Sequence, residues 1–133
     1  MKITHRSAKN KGARFQKEVA ARISELLSMP YGKDECIASR PMGSSSVDII
    51  LVGPARRLFP WSCECKAVEK FSLKSWIRQA STNILPDTNW LVLFKKNRFS
   101  PSVCMDYKVF DRLFGDLEVT TVEITTVNWA VEE

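Results

Sequence analysis

Two stretches of the chain repeat apolar residues with the period of an α-helix. The first begins at Lys11 or Gly12 and ends before Pro30, and the second follows Ser72 as its cap. The apolar residues of these helices are Phe15, Val19, Ile23, Leu26 and Leu27 in the first and Leu73, Trp76, Ile77, Ala80 and Ile84 in the second. Each set lies on one face, so each helix is predicted to pack on a core. A short helix is also predicted after Asp106.

Short apolar segments bounded by Gly, Pro and Ser predict the strands of a sheet. They are Asp34–Arg40, Val47–Val52, Trp61–Ala67, Trp90–Phe94 and Leu117–Val127. The residues Gly53 to Arg57 are predicted to form a hairpin loop with an exposed basic tip. The order strand, helix, strand between Trp61 and Phe94 predicts a parallel pair with a right-handed crossover. The predicted fold class is α/β, a central mixed sheet flanked by helices.

Length and composition predict one intracellular domain. The chain has 133 residues, of which 44% are hydrophobic, and a chain of this size buries a core of its own. Residues 1–10 are polar and basic and are predicted to be a flexible arm, which leaves residues 11–133 as the domain. No apolar run reaches the ~20 residues that cross a bilayer, and the N-terminus lacks a signal-peptide pattern. A soluble, cytoplasmic protein is expected.

The cysteines and the histidine exclude several kinds of chemistry. The four cysteines do not form a C-x-x-C pair, so neither a zinc site nor a secreted disulfide scaffold is indicated. Cys63 and Cys65 are predicted to face the core as small apolar residues. His5 is the single histidine, which excludes a Ser–His–Asp triad.

Positive charge is concentrated near the N-terminus. The net charge is +5, and residues 1–22 hold seven Lys or Arg against the single acid Glu18. Such an uneven distribution favours a polyanionic partner, above all nucleic acid, although a solvated basic face without a partner is the alternative. The candidate phosphate contacts are Lys9, Lys11, Arg14, Arg56 and Arg57, together with Arg40, Ser44 and Gln79, for which a role in the geometry of the site is the alternative.

Acidic residues occur within two of the predicted strands. Side chains two positions apart share a face, so Glu64 and Lys66 point the same way. If Asp48 of the neighbouring strand faces the same side, two carboxylates and one ammonium group converge. Buried charges are costly unless they are paired or bind a metal, and paired carboxylates suit Mg²⁺ and an attacking water. The alternative is a solvated cross-strand ion pair.

The first helix contributes a further acid. Glu18 lies about 60° outside the apolar stripe, from where it could face the acidic cluster. The alternative is a surface glutamate that pairs locally with Arg14 or Arg22.

Four segments together resemble the PD-(D/E)xK nuclease superfamily, and within it most the archaeal-type Holliday junction resolvases. They are Lys11-Gly12 with Glu18, Arg40 to Ser44, Val47 to Ile50, and the E-x-K signature Glu64-Cys65-Lys66. The resemblance covers about residues 11–95 and departs from the family in its serine run and in its long interval between Asp48 and Glu64. Beyond Lys96 no match is found.

The resemblance implies a metal-dependent endonuclease that cuts four-way DNA junctions as a symmetric homodimer, without a membrane or a small-molecule substrate. Mg²⁺, or Mn²⁺ in its place, would be bound by Asp48, Glu64 and the Cys65 carbonyl, with help from Glu18, while Lys66 would orient the attacking water. Candidates for a dimer surface are Phe99, Val103, Met105, Phe110 and Phe114, which could equally close the monomer's own core. The alternatives are a flap, nicking or duplex-end nuclease of the same superfamily, a non-catalytic nucleic-acid binder, and a partner-binding domain.

Overall fold

A three-stranded mixed sheet forms the centre of the protein, with helices on both of its faces. The structure is a computed structural model that describes residues 5–43 and 45–115. Its helices are α1 (His5–Leu27), α2 (Pro54–Leu58), α3 (Leu73–Thr82) and α4 (Tyr107–Gly115), and its strands are β1 (Ile37–Ser39), β2 (Ile49–Leu51), β3 (Trp61–Ala67), β4 (Asn89–Lys95) and β5 (Ser102–Met105). The predicted class, an α/β protein with a mixed sheet flanked by helices, is confirmed.

Strand pairing follows the order that the crossover requires. β3 and β4 run parallel, as predicted, and β5 pairs antiparallel with β4. The register of the parallel pair sets Trp61 opposite Asn89 and Ala67 opposite Lys95. β1 and β2 form a separate antiparallel ribbon. The ribbon is tied to the sheet just before β2, where the Asp48 N–H donates to the Cys63 carbonyl over 2.9 Å.

The alternation of side chains along β3 and β4 divides the core into two layers. Cys63, Cys65 and Leu91 are buried in one cluster with the apolar stripe of α1, which confirms that both cysteines face the core. Val92, on the opposite face of β4, is buried against Trp76 of α3. Each fully buried apolar side chain of this size stabilises the fold by roughly 1.5–3 kcal/mol, so α1 and α3 fix the sheet from both sides.

The opening helix begins earlier than predicted. α1 starts at His5, so residues 5–10, predicted as part of a flexible arm, are its first turns. The prediction began the helix at Lys11 or Gly12 because residues 1–10 are polar and show no apolar periodicity. A Cβ on Gly12 would lie 3.3 Å from Met42 Cε, so the glycine lets the loop after β1 pack closely on α1.

Other element boundaries also differ from the predictions. The stretch after β2 is not a hairpin loop, because Pro54 sits at the first helical position and opens α2, where its fixed φ suits a helix. β1 and β2 have three residues each, fewer than predicted, and Ile84 lies beyond α3 and is exposed. β5 was not predicted, and the predicted strand Leu117–Val127 lies outside the described residues.

Two helix starts agree with their predicted caps in position. Ser72 is the N-cap of α3, although its side chain makes no capping hydrogen bond, and Asp106 Oδ1 accepts from the Lys108 N–H over 2.8 Å at the start of α4. Within the described part of the chain, no helix is long and apolar enough to cross a membrane.

Candidate active site

Asp48 is fixed against the edge of β3 that faces away from β4. Its Oδ2 accepts a hydrogen bond from the Cys65 N–H at 2.7 Å, while its own N–H donates to the Cys63 carbonyl. Arg40 braces the loop that leads to this position, because its Nε donates to the Val47 carbonyl at 2.6 Å. The carboxylate of Asp48 is thereby held beside β3 at the level of Glu64.

Glu64 is a buried carboxylate with one unsatisfied oxygen. The residue is 2% exposed, and its Oε2 makes no hydrogen bond of standard geometry among the described residues, although Asn83 lies near enough to the carboxyl group to lower its pKa. Its Oε1 lies 3.8 Å from Lys66 Nζ, which confirms that Glu64 and Lys66 share a face of β3. A buried unsatisfied carboxylate oxygen is costly, so this atom is a natural position for a cation.

Burial and mutual repulsion act on the protonation of the two acids. Desolvation, and then the neighbouring charge of Asp48, raise the pKa of Glu64 to about 7. Desolvation also raises the pKa of Asp48, but the Cys65 N–H and the Lys66 ammonium group oppose this shift. Glu64 is therefore the member of the pair that holds a proton more readily, and a cation between the two carboxylates would release it.

Lys66 is held in place from the side of α3. Its Nζ donates to Gln79 Oε1 over 2.7 Å, and its side chain is 23% exposed. The ammonium group contacts both Glu64 and Gln79 and therefore lies beside the acid pair. Gln79, predicted to contact phosphate or to shape the site, borders the same cavity as Asp48, Glu64 and Lys66.

The acid pair opens into a small cavity, which we call the acid cavity. It has a volume of about 180 Å³, and its lining includes Gln16, Met42, Asp48, Glu64, Lys66 and Gln79. A cavity of this size can hold a cation, a few waters and the oxygens of one phosphate group. It is bordered by α1, the loop after β1, β3 and α3.

Gln16 was missed by the reasoning from sequence. It is 6% exposed, and its amide donates weakly to Met42 Sδ at 3.5 Å. The signal was available, because Gln16 is a polar residue within the apolar stripe between Phe15 and Val19, and a buried polar residue is the informative exception.

Glu18 is not brought to the acid cavity. Two residues of helix correspond to a rotation of about 200°, which places their side chains on nearly opposite sides of the axis. Glu18 therefore faces away from the cavity when Gln16 faces it. The carboxylate of Glu18 is half exposed and lies 3.7 Å from Lys95 Nζ, next to a different and basic cleft.

The predicted phosphate contacts are dispersed. Lys11 and Arg14 line the basic cleft next to Glu18, and Lys9 is exposed on the same helix. Arg56 donates to the Pro86 carbonyl over 2.6 Å, and Arg57 lines a surface depression beside it. Ser44 lies outside the described residues. Among the described members of this group, Gln79 alone lines the acid cavity.

The acid cavity fits a divalent cation with oxygen ligands. Among residues 5–43 and 45–115 no group of three His, Cys, Asp or Glu side chains converges on one point, so protein side chains would supply the two carboxylates of Asp48 and Glu64. Mg²⁺ retains several waters and is commonly bound through one or two carboxylates together with substrate phosphates. The orphaned Glu64 Oε2 is the observation that fits such an ion, and the Cys65 carbonyl is the further candidate ligand.

Comparison of the chain with protein-family models, with curated proteins and with solved structures gave no match.

Proposed function

We propose that the protein is a Mg²⁺-dependent endonuclease of the PD-(D/E)xK type that cuts branched DNA, as the resemblance to Holliday junction resolvases implies. The observation that carries this proposal is the orphaned Oε2 of Glu64, buried beside Asp48 and Lys66. A buried carboxylate oxygen without a partner costs stability, so its presence beside a second carboxylate and a lysine favours a functional role. Mn²⁺ is expected to replace Mg²⁺.

The roles of the residues follow from their positions. Asp48 and Glu64 would hold the Mg²⁺, which would supply an activated water and offset the negative charge that develops on the phosphate. The hydrogen bond from the Cys65 N–H to Asp48 keeps one of these carboxylates oriented. Lys66, positioned by Gln79, orients the water and adds positive charge beside the scissile phosphate.

The absence of a histidine base is consistent with this assignment. Coordination to a divalent cation lowers the pKa of a water below the 15.7 of bulk water, so hydroxide can form without an imidazole base. Because the pKa of Glu64 is raised to about 7, binding of a cation there would be coupled to release of a proton.

The same proposal includes a two-fold symmetric dimer, because resolving a four-way junction requires two paired breaks. Phe110 and Phe114 of α4 form an exposed aromatic pair with ring centroids 4.9 Å apart. Phe99 and Val103 are exposed as well, whereas Met105 is half-buried against the core. Light scattering at micromolar concentration tests the dimer, which a stable monomer would contradict.

The proposed activity is tested with labelled four-way junction, flap, duplex and single-stranded DNA, each incubated with Mg²⁺ and with EDTA. We expect metal-dependent cleavage, with the junction cut fastest and in two symmetric positions. Equal cutting of flap and junction would assign the protein to the flap or nicking nucleases, and no cleavage in Mg²⁺ or Mn²⁺ would refute the enzymatic proposal.

A further inference from the structure

A basic cleft lies on the α1 side of the sheet, at the carboxyl ends of β3 and β4. Its volume is about 490 Å³, and the residues that define it are Arg6, Lys11, Arg14, Glu18, Lys95 and Asn97. This set holds four cations and one carboxylate. Since the proposed chemistry uses none of these residues, their convergence requires a separate explanation.

One wall of the cleft is fixed by a well-formed ion pair. Lys11 Nζ lies 2.8 Å from Glu69 Oε1, and the Asn97 N–H donates to the same oxygen at 3.1 Å. These bonds tie α1 to the segments that follow β3 and β4. The charge of Lys11 is thereby largely neutralised within the protein.

The remaining cations are available to a ligand. The guanidinium groups of Arg6 and Arg14 are exposed and make no ion pair within the described residues. Lys95 Nζ lies 3.7 Å from Glu18 Oε2, with side chains 35% and 50% exposed. A solvent-accessible pair at this distance contributes little, on the order of 0–1 kcal/mol, so a stronger anion can replace Glu18.

The spacing of the cations selects the kind of anion. Arg6, Asn10 and Arg14 follow one another at four-residue intervals and line the same cleft. Eight residues of helix span roughly 12 Å, so Arg6 and Arg14 lie about this far apart along α1. Successive phosphates of one strand follow at about 3.4 Å along the duplex axis. The distance between the two arginines therefore matches several successive phosphates better than a single small phosphate.

The cleft is separate from the acid cavity. Ala67 lines the cleft and Lys66 lines the acid cavity, and neighbouring residues of a strand point to opposite faces of the sheet. On α1, Glu18 lines the cleft and Gln16 lines the acid cavity, on opposite sides of the helix. The cleft is therefore a second surface of the domain.

We propose that the basic cleft binds the phosphodiester backbone of a DNA arm outside the acid cavity, and that Glu18 pairs with Lys95 until a phosphate displaces it. This inference rests on the proposed nuclease function for the identity of the substrate. The binding itself needs no metal and no cleavage.

The first test measures the salt dependence of binding in EDTA, with a fluorescein-labelled four-way junction followed by anisotropy. The double variant Arg6→Gln/Arg14→Gln removes two phosphate contacts, so the slope of log K against log salt should become shallower by about 2. The matched control is Lys33→Gln/Lys74→Gln, which removes two exposed cations outside the cleft. Equal slopes for the two double variants would overturn the proposal.

The second test uses the single acid of the cleft. Glu18→Gln removes a negative charge near the phosphates and should tighten junction binding roughly two- to fivefold at low salt, the range of an exposed charge interaction. Glu25→Gln, an exposed change on the same helix, should not. Unchanged or weaker binding by Glu18→Gln would contradict the displacement of Glu18.

The two proposals fail in different ways. A shallower slope for the arginine variant without any cleavage in Mg²⁺ supports the cleft and refutes the nuclease. Cleavage by the wild type with no change of slope in the variant refutes the cleft alone. Inorganic phosphate, added while the ionic strength is held constant with NaCl, should not displace the labelled junction. Displacement would reveal a small-anion site and overturn the assignment to a nucleic-acid strand.

Discussion

The carboxylate of Asp48 takes the place of a strand partner for Cys65, because its Oδ2 accepts the Cys65 N–H at 2.7 Å. The same residue donates its own N–H to the Cys63 carbonyl. One side chain thus joins the β1–β2 ribbon to the central sheet and carries half of the acid pair. Different substitutions of Asp48 can nevertheless separate its structural hydrogen bond from its proposed role as a metal ligand.

Asp48→Ala should lower the free energy of unfolding by about 1–3 kcal/mol, because it leaves a buried N–H without an acceptor. Asp48→Asn retains an acceptor oxygen and removes a partly buried charge, so it should be neutral or stabilising. Urea denaturation in EDTA measures both changes. Equal destabilisation by the two variants would show that the hydrogen bond to Cys65 is not the main contribution.

The protonation of Glu64 should make stability fall as the pH rises. An unfolded glutamate releases its proton near pH 4.5, whereas native Glu64 retains it up to about pH 7. Between these values the native state binds more protons than the unfolded state, so the free energy of unfolding decreases with pH and levels off above about 7. At about 1.4 kcal/mol per pKa unit, the decrease is at most about 3–4 kcal/mol.

This dependence is measured by urea denaturation from pH 4.5 to 8 in EDTA. Glu64→Gln should flatten most of the decrease, leaving the smaller contribution of Asp48, whose pKa is also raised. Glu25→Gln, on an exposed face, should retain the full slope. A wild type whose stability rises across this range would show that Glu64 is ionised in the native state.

Gln79 is expected to act as a positioning residue through Lys66. Gln79→Leu removes the acceptor that holds Lys66 Nζ at 2.7 Å, and turnover should fall roughly tenfold, equivalent to about 1.4 kcal/mol. Gln79→Glu retains the acceptor oxygen and should keep more of the activity. The neighbouring exposed change Arg78→Leu serves as control, and the midpoint of the pH–rate profile should move for Gln79→Leu alone.

Gln16 offers a test of the cation site that does not depend on cleavage. Gln16→Glu would place a third carboxylate on the acid cavity and should tighten Mn²⁺ binding, measured by calorimetry, by tenfold or about 1.4 kcal/mol. Asn10→Asp adds the same charge to α1 on the side of the basic cleft. Equal tightening by both variants would indicate a general charge effect instead of a ligand in the cavity.

The sequence predicted those features that depend on local periodicity. The α3 stripe, β3 from Trp61 to Ala67 and the shared face of Glu64 and Lys66 follow from periods of 3.6 and 2.0, which tertiary contacts did not override. The parallel pairing of β3 with β4 followed from chain connectivity.

The remaining features depend on contacts that a sequence does not display. Gly12 breaks the helical pattern locally but is tolerated because Met42 packs on it. β5 is a short edge strand of four residues with exposed positions, so its pattern is weak. Glu18 was predicted to face the acid pair because the sequence does not show which flank of the apolar stripe of α1 lies beside β3. With Phe15 and Val19 buried in the core, Gln16 and not Glu18 borders the acid cavity.

The central claim, that the acid pair binds the metal that cuts DNA, is tested most directly by measuring cleavage and binding of the same labelled four-way junction with Glu64→Gln. The control is Glu35→Gln, an exposed acid outside the site. We predict that Glu64→Gln loses at least a hundredfold in Mg²⁺-dependent cleavage, about 2.7 kcal/mol, while its affinity for the junction in EDTA is unchanged or tighter. Cleavage near the wild-type rate, or equal losses of cleavage and binding, would contradict the account.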